Sequence, residues 1–193
     1  MYGVPVYCLP FTVYALAMTI PATGRILAID WGEIRIGLAL SDETQTLATP
    51  LETLVRRAGK RFPMRRLLDL VTPYQLVGLV AGLPLTPDGR EEESAIAART
   101  LAEAVAHRTG LPLELWDERM STARALAAVW EQGGSTKGRK EEVDALAAAV
   151  MLQHFLDARR NRAEKTERAE KTERLDKAEE REKRSDGISE DVE

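Results

Sequence analysis

Seven consecutive residues without a polar side chain, Leu76-Val77-Gly78-Leu79-Val80-Ala81-Gly82, lie between two stretches of helical periodicity. The run is too short for a typical helix and has no polar-apolar alternation, so it predicts a strand buried on both faces. Such a strand needs helices above and below its sheet, which points to a layered α/β domain. Before it, residues 61–72 place Met64, Leu67, Leu68 and Val71 at helical spacing, and Pro73 ends the pattern. After it, a loop through Pro84, Pro87 and Gly89 leads to a helix over residues 91–108, whose opening acids suit the positive end of the helix dipole.

The rest of the chain adds partners for that strand. Residues 25–30 and 35–41 read as strands joined by the turn Trp31-Gly32-Glu33, with residues 47–55 as a third, so the sheet begins as an antiparallel hairpin series. Residues 113–116 form a last short strand, and residues 121–131 and 141–158 read as helices. The order βββ-α-β-α-β-α-α predicts a mixed sheet covered by helices.

Two segments fall outside this pattern. No charged residue occurs before Arg25, and residues 4–20 are apolar enough to raise a signal-peptide or membrane reading. Pro5 and Pro10 interrupt the run and no Lys or Arg precedes it, so residues 1–24 read as an apolar extension, with Met18 a candidate start. At the other end, 23 of the 35 residues in 159–193 are charged, and Ala-Glu-Lys-Thr-Glu-Arg occurs twice in tandem from Ala163. Glu164 to Arg168, Glu167 to Lys171, Glu170 to Arg174 and Glu173 to Lys177 are i,i+4 pairs in the favourable order. This is a solvated, partly helical tail rather than a domain. The domain itself is therefore expected over residues 25–158.

Chemistry concentrates in acids at strand ends. Asp30 closes the first strand with Gly32 two positions on, where open α/β sheets place their ligands and where a glycine would let a ligand approach the backbone. Asp117, Glu118 and Arg119 follow the last strand, and Ser121 can cap the next helix. Asp144 adjoins the sheet-facing stripe of the final helix, where a carboxylate requires a cation. Lys140, one turn earlier, is the local candidate for that partner. Acids drawn together from three elements would repel one another unless divalent cations neutralised them. With one Cys and two His in the chain, oxygen ligands favour Mg²⁺ or Mn²⁺ over Zn²⁺. Such ions support phosphodiester hydrolysis.

Five colinear segments now stand out: Asp30-Trp31-Gly32-Glu33-Ile34-Arg35-Ile36-Gly37-Leu38-Ala39, Ser41-Asp42, Gly82-Leu83-Pro84-Leu85-Thr86-Pro87-Asp88-Gly89, Asp117-Glu118-Arg119-Met120-Ser121-Thr122 and Val143-Asp144-Ala145-Leu146-Ala147-Ala148. Together they resemble the successive motifs of the YqgF/RuvX family. The resemblance implies an RNase H-like three-layer domain, with a mixed five-stranded sheet flanked by helices, related to Holliday junction resolvases. It also implies a nuclease maturing the 5' end of pre-16S rRNA. By motif, Asp30, Glu118 and Asp144 are the implied catalytic, metal-binding acids, with Asp117 their neighbour. Two departures stand out: Ile34 occupies a position where the family commonly has Lys, and Thr86-Pro87 replaces the usual Asn-Met.

Substrate contacts are expected from local cations. Lys137, Arg139 and Lys140 form a basic loop before Asp144, and Arg35, Arg119, Ser121 and Thr122 lie near the acids in sequence. Arg56, Arg57, Lys60, Arg61, Arg65 and Arg66 are a second basic cluster, divided between phosphate binding and solvated helix ends. Trp31, Trp116 and Trp130 could stack bases or fill the core. The overall charge of -4 does not exclude a nucleic-acid substrate, because bound cations would reverse the local field. The leading expectation is a cytoplasmic, Mg²⁺- or Mn²⁺-dependent endonuclease acting on structured RNA, with no membrane partner. Cutting of branched DNA by a homodimer is the alternative within the same fold. An actin-like ATPase would need a second Asp-x-Gly strand that this chain lacks, and a non-catalytic RNA-binding factor remains open.

Overall fold

The structure is a computed structural model that describes residues 19–56, 61–117 and 140–186. The chain divides into two compact units, Met1–Leu156 and Asp157–Glu193. Within the first, the strands are β1 Ile26–Asp30, β2 Arg35–Ser41, β3 Ala48–Val55, β4 Gly78–Leu83 and β5 Leu113–Asp117. The helices are α1 Met64–Val71, followed by a 3₁₀ turn Thr72–Tyr74, then α2 Glu93–Thr109 and α3 Lys140–Asp186.

The strands form one sheet in the order β3-β2-β1-β4-β5. β1 and β2 pair antiparallel, as do β2 and β3, whereas β4 is parallel to β1 and β5 is parallel to β4. The apolar run is thus interior to the sheet, and all six β4 residues are buried. Pro50 lacks an N–H and is tolerated because β3 is an edge strand; the β2–β3 register shifts beside it, between Leu38 and Ala39.

Alternation along the strands sorts the core into two faces. Leu27, Ile29, Ile36, Leu38, Leu79 and Leu113 pack with Leu67 and Val71 of α1 and Leu101 and Val105 of α2. Ile26, Ala28, Ala39 and Val80 instead pack with Met151, Leu152, Phe155 and Leu156 of α3. The domain therefore has three layers, with the sheet between α1 and α2 on one side and α3 on the other. Leu152 is fully buried, so Leu152→Ala would cost about 2–5 kcal/mol through lost burial and a residual cavity.

Polar groups fasten α3 to the β2–β3 hairpin. The Ala48 N–H donates to Gln153 Oε1 at 2.9 Å, and Gln153 Nε2 donates to the Thr46 carbonyl at 3.0 Å. Within the hairpin turn, Asp42 Oδ1 accepts the N–H groups of Thr46 and Leu47 at 2.7 and 2.9 Å. These bonds lower the Asp42 pKa from 3.8 to about 2, the Leu47 N–H having the largest effect and the Thr44 hydroxyl the next. The family-like Ser41-Asp42 pair is thus architectural: Ser41 Oγ also accepts the Ile26 N–H at 2.8 Å, joining β2 to the start of β1.

Some boundaries differ from the sequence reading. Pro63 is the N-cap of α1, so the first helix starts at Met64 rather than residue 61. The final helix does not stop at residue 158 but continues to Asp186. In the second unit its described side chains from Arg160 to Lys177 are exposed, Leu175 included. Helix there needs no core-facing stripe, because Glu173 and Lys177 pair one turn apart and Asp157 pairs with Arg160.

Candidate active site

The site is built where β1 ends and α3 begins. Ile26 and Ala28 face α3, and alternation puts Asp30 on that same side. Asp30 pairs with Gly37 across the β1–β2 ladder. A Cβ at Gly37 would lie 2.1 Å from the Asp144 carbonyl oxygen and 3.3 Å from the Ala148 Cβ. The backbone of α3 thus crosses β2 directly beside Asp30's ladder partner, in a space that only a glycine leaves open. Two acids 114 positions apart in the chain are brought to one face of the sheet by this contact.

Arg35, two residues from Gly37 on β2, shares that face. Its Nε donates to Asp144 Oδ2 at 2.5 Å, with both side chains about one-third exposed or less. The cation that Asp144 requires therefore comes from β2, where the sequence reading had offered Lys140 as its partner. Lys140 opens α3. Sequence spacing could not show this pair, since it depends on α3 crossing β2.

The turn after Asp30 is held internally. A Cβ on Gly32 would meet the Arg35 carbonyl oxygen at 2.2 Å, so this glycine serves the tight turn rather than ligand approach. Arg56 closes the turn from outside. Its N–H donates to the Ile34 carbonyl at 2.7 Å and its Nη2 to the Glu33 carbonyl at 2.6 Å, while its guanidinium lies 5.2 Å from the Trp31 ring centre. Arg56 belongs to the cluster divided between phosphate binding and solvated helix ends, and here it is engaged in fixing the Asp30 turn. In the same cluster Arg66 pairs with Glu52, and Arg65 lies 3.9 Å from Asp69. Arg57 and Lys60 lie outside the described residues.

At the far side of the site, Trp116 belongs to the α3 face and meets Phe155 edge-on at 5.5 Å. Its Nε1 is buried and has no hydrogen-bond partner among the described residues. Trp31 packs against the opposite core, so both described tryptophans are packing residues. Leu113 and Leu115 face α1 and α2, and alternation sets Asp117 on their side, opposite Asp30. Glu118, Arg119, Ser121, Thr122, Trp130, Lys137 and Arg139 lie outside the described residues.

Asp30 and Asp144 thus provide oxygen donors on one face. Among the described residues no group of three or more Asp, Glu, His or Cys is placed to hold a metal ion. The pair nevertheless fits a hard divalent cation: both are carboxylates, and neither thiol nor imidazole competes.

A 3-2-1-4-5 sheet, antiparallel through its first three strands and parallel through its last two, with helices on both faces and an acid ending β1, defines the RNase H-like class. Residues 24–158 match the family model described as RuvX, Holliday junction resolvase. The chain belongs to this family, also called YqgF. A protein of Anaeromyxobacter sp. strain Fw109-5, named as a candidate pre-16S rRNA nuclease, is 43% identical over 135 residues, covering 70% of this chain and 98% of that one. A protein of the same name from Leifsonia xyli subsp. xyli is 42% identical over 138 residues, covering 72% and 88%. Among solved structures, T. thermophilus RuvC in complex with Holliday junction substrate matches with TM-score 0.47 and 16% identity, over 72% of this chain and 96% of that one.

Proposed function

We propose that this chain is a divalent-metal-dependent endonuclease that hydrolyses phosphodiester bonds in structured RNA, and that its substrate is the 5' end of pre-16S rRNA. The observation that carries the reading is the placement of Asp30 and Asp144 on one face of the sheet, across Gly37. Asp30, Asp144 and Glu118 would hold Mg²⁺ or Mn²⁺, with Asp117 as a weaker candidate. A divalent ion there supplies Lewis acidity toward a phosphodiester and acidifies water. The protein's part is geometric: the Gly37 crossing fixes one acid relative to the other, and Arg56 fixes the turn that follows Asp30. Arg119, Ser121, Thr122, Lys137, Arg139 and Lys140 are proposed to contact the nucleic-acid backbone.

The organisation proposed with this function is a nuclease domain over residues 25–158, an apolar extension over residues 1–24 and a charged tail over residues 159–193. The proposed location is the cytoplasm; among the described residues no helix is long and apolar enough to cross a membrane.

Asp30→Asn and Asp144→Asn should each abolish Mg²⁺-dependent cleavage of a pre-16S rRNA substrate while keeping the circular dichroism spectrum. Full activity in either variant would overturn the assignment. Resolution of four-way DNA junctions is the second reading, favoured by the description of the matching family. Side-by-side assays on the two substrates separate them, since a resolvase nicks a junction symmetrically as a homodimer. Tight RNA binding without turnover would instead mark a non-catalytic maturation factor.

A further inference from the structure

Asp144 receives one hydrogen bond among the described residues, from Arg35 Nε to Oδ2. A guanidinium stays protonated at any pH the protein meets, so the contact is a permanent charge pair. It is also one-sided: the bond engages Oδ2, and no hydrogen bond reaches Oδ1 among the described residues. The geometry therefore does two things to this carboxylate. It restricts the rotation of Asp144 about its side-chain bonds, and it places a fixed positive charge beside an acid that the proposed function assigns to a cation.

From this we infer that Arg35 is a positioning residue that sets the divalent-ion affinity of the site: it orients Asp144 through Oδ2, leaves Oδ1 for the ion and weakens ion binding by charge repulsion. This rests on the metal-dependent reading above. It is a role distinct from the expected contact of Arg35 with substrate phosphate, since of its guanidinium nitrogens Nε is the one committed to Asp144. The physical cause is simple. Two positive centres sharing one carboxylate repel, and even at the dielectric constant of water a unit charge beside a divalent ion changes its affinity by roughly tenfold. The return for this loss is geometric, since a carboxylate held in place before the ion arrives has less freedom to lose on binding. Arg35 is well placed for the task because alternation puts it on the same face as Gly37, two residues from the level of Asp30.

The test is calorimetric titration of Mn²⁺ into the full chain without nucleic acid, so that turnover plays no part. Arg35→Gln keeps a hydrogen-bond donor and removes the charge, and it should tighten Mn²⁺ binding about tenfold. Arg35→Lys keeps the charge and should stay within about threefold of the wild type. An unchanged or weakened affinity in Arg35→Gln overturns the inference. Should that variant fail to fold, a tenfold tightening in Arg35→Lys overturns it equally, since charge would then not be the cause. The two levels of the argument separate cleanly. A wild-type protein that binds no Mn²⁺ removes the metal reading and this inference together, whereas wild-type binding that Arg35→Gln fails to tighten removes the inference alone. A substrate-phosphate role would appear as weaker RNA binding in EDTA by Arg35→Gln with Mn²⁺ affinity unchanged, which also counts against the inference.

Discussion

Gly37→Ala is the sharpest single perturbation of this site. One methyl group at this position would sit 2.1 Å from the Asp144 carbonyl oxygen and 2.7 Å from its carbonyl carbon, against an ordinary contact of at least 3.4 Å. The obstruction is backbone, so no side-chain rotation relieves it. Either α3 moves off β2 by about 1.3 Å at this crossing, or β2 distorts between two hydrogen-bonded neighbours. Overpacking of this kind costs typically 1–3 kcal/mol. Movement of α3 is the softer route, because its packing is through side chains whereas β2 is laddered on both sides. That movement carries Asp144 with it, and a misplacement of about 1 Å at a catalytic group costs on the order of 100-fold in rate. The expected variant is folded, has a lower urea midpoint and loses activity out of proportion to its stability. Urea unfolding followed by tryptophan fluorescence gives the first quantity, and single-turnover cleavage with saturating Mn²⁺ gives the second. A Gly37→Ala protein with wild-type midpoint and wild-type cleavage would refute the crossing as the device that assembles the two acids.

Three further outcomes are expected. Asp42→Ala removes the acceptor of the β2–β3 turn and should cost about 1 kcal/mol at pH 7, discounted for its exposure. Its folded pKa is depressed, so the wild-type advantage is full above 3.8 and is lost as pH falls toward about 2; urea midpoints at pH 6 and pH 3 that differ equally between the two proteins would contradict this. Deleting residues 159–193 should leave the urea midpoint unchanged while lowering the helical circular dichroism signal, because both core clusters are complete by Leu156; a large drop in midpoint would show that the sheet domain needs its tail. Asp117→Asn should keep cleavage within about tenfold of wild type whereas Glu118→Gln loses at least about 100-fold, and equal losses would contradict the alternation that sets Asp117 on the α1 and α2 side.

Much of the fold was legible in the sequence because its strongest signals are local. Residues 76–82 announce a buried strand by composition alone, and β1 and β2 are marked by apolar runs around a Gly-containing turn. Helix ends were less legible. The N-terminus of α1 is set by Pro63, so the helix starts three residues after the expected boundary at residue 61, at Met64, where the apolar periodicity itself begins. The length of α3 was missed for a different reason: hydrophobic patterning stops near residue 158, but i,i+4 ion pairs continue and hold the helix without a core. For the site, strand ends and motif resemblance singled out Asp30 and Asp144, but their neighbours were assigned by nearness in sequence. That rule offered Asp144 Lys140 and not Arg35, and it left Arg56 divided between phosphate binding and a solvated helix end. Arg56 acts on a turn more than twenty residues before it, and the Arg35–Asp144 contact spans 109 positions. Neither leaves a local trace.

The same geometry changes how the chain's acidity is to be understood. A net charge of -4 opposes a polyanionic substrate only if the charge is spread evenly. Here one acid at the proposed centre is already offset by Arg35, while Asp42 serves a turn and Glu91 pairs with Arg99 at the start of α2. These acids are committed to structural partners, so they contribute little free negative field toward a ligand at the β1 end. What faces a substrate there is the balance between the three acids proposed to hold the ion, Asp30, Asp144 and Glu118, together with Arg35 and any bound cation. Those four side chains carry a net charge of about -2, which a single divalent ion brings to about zero. Repulsion of nucleic acid from this face should therefore be relieved by metal loading, and the salt dependence of binding should be steeper with Mg²⁺ than in EDTA.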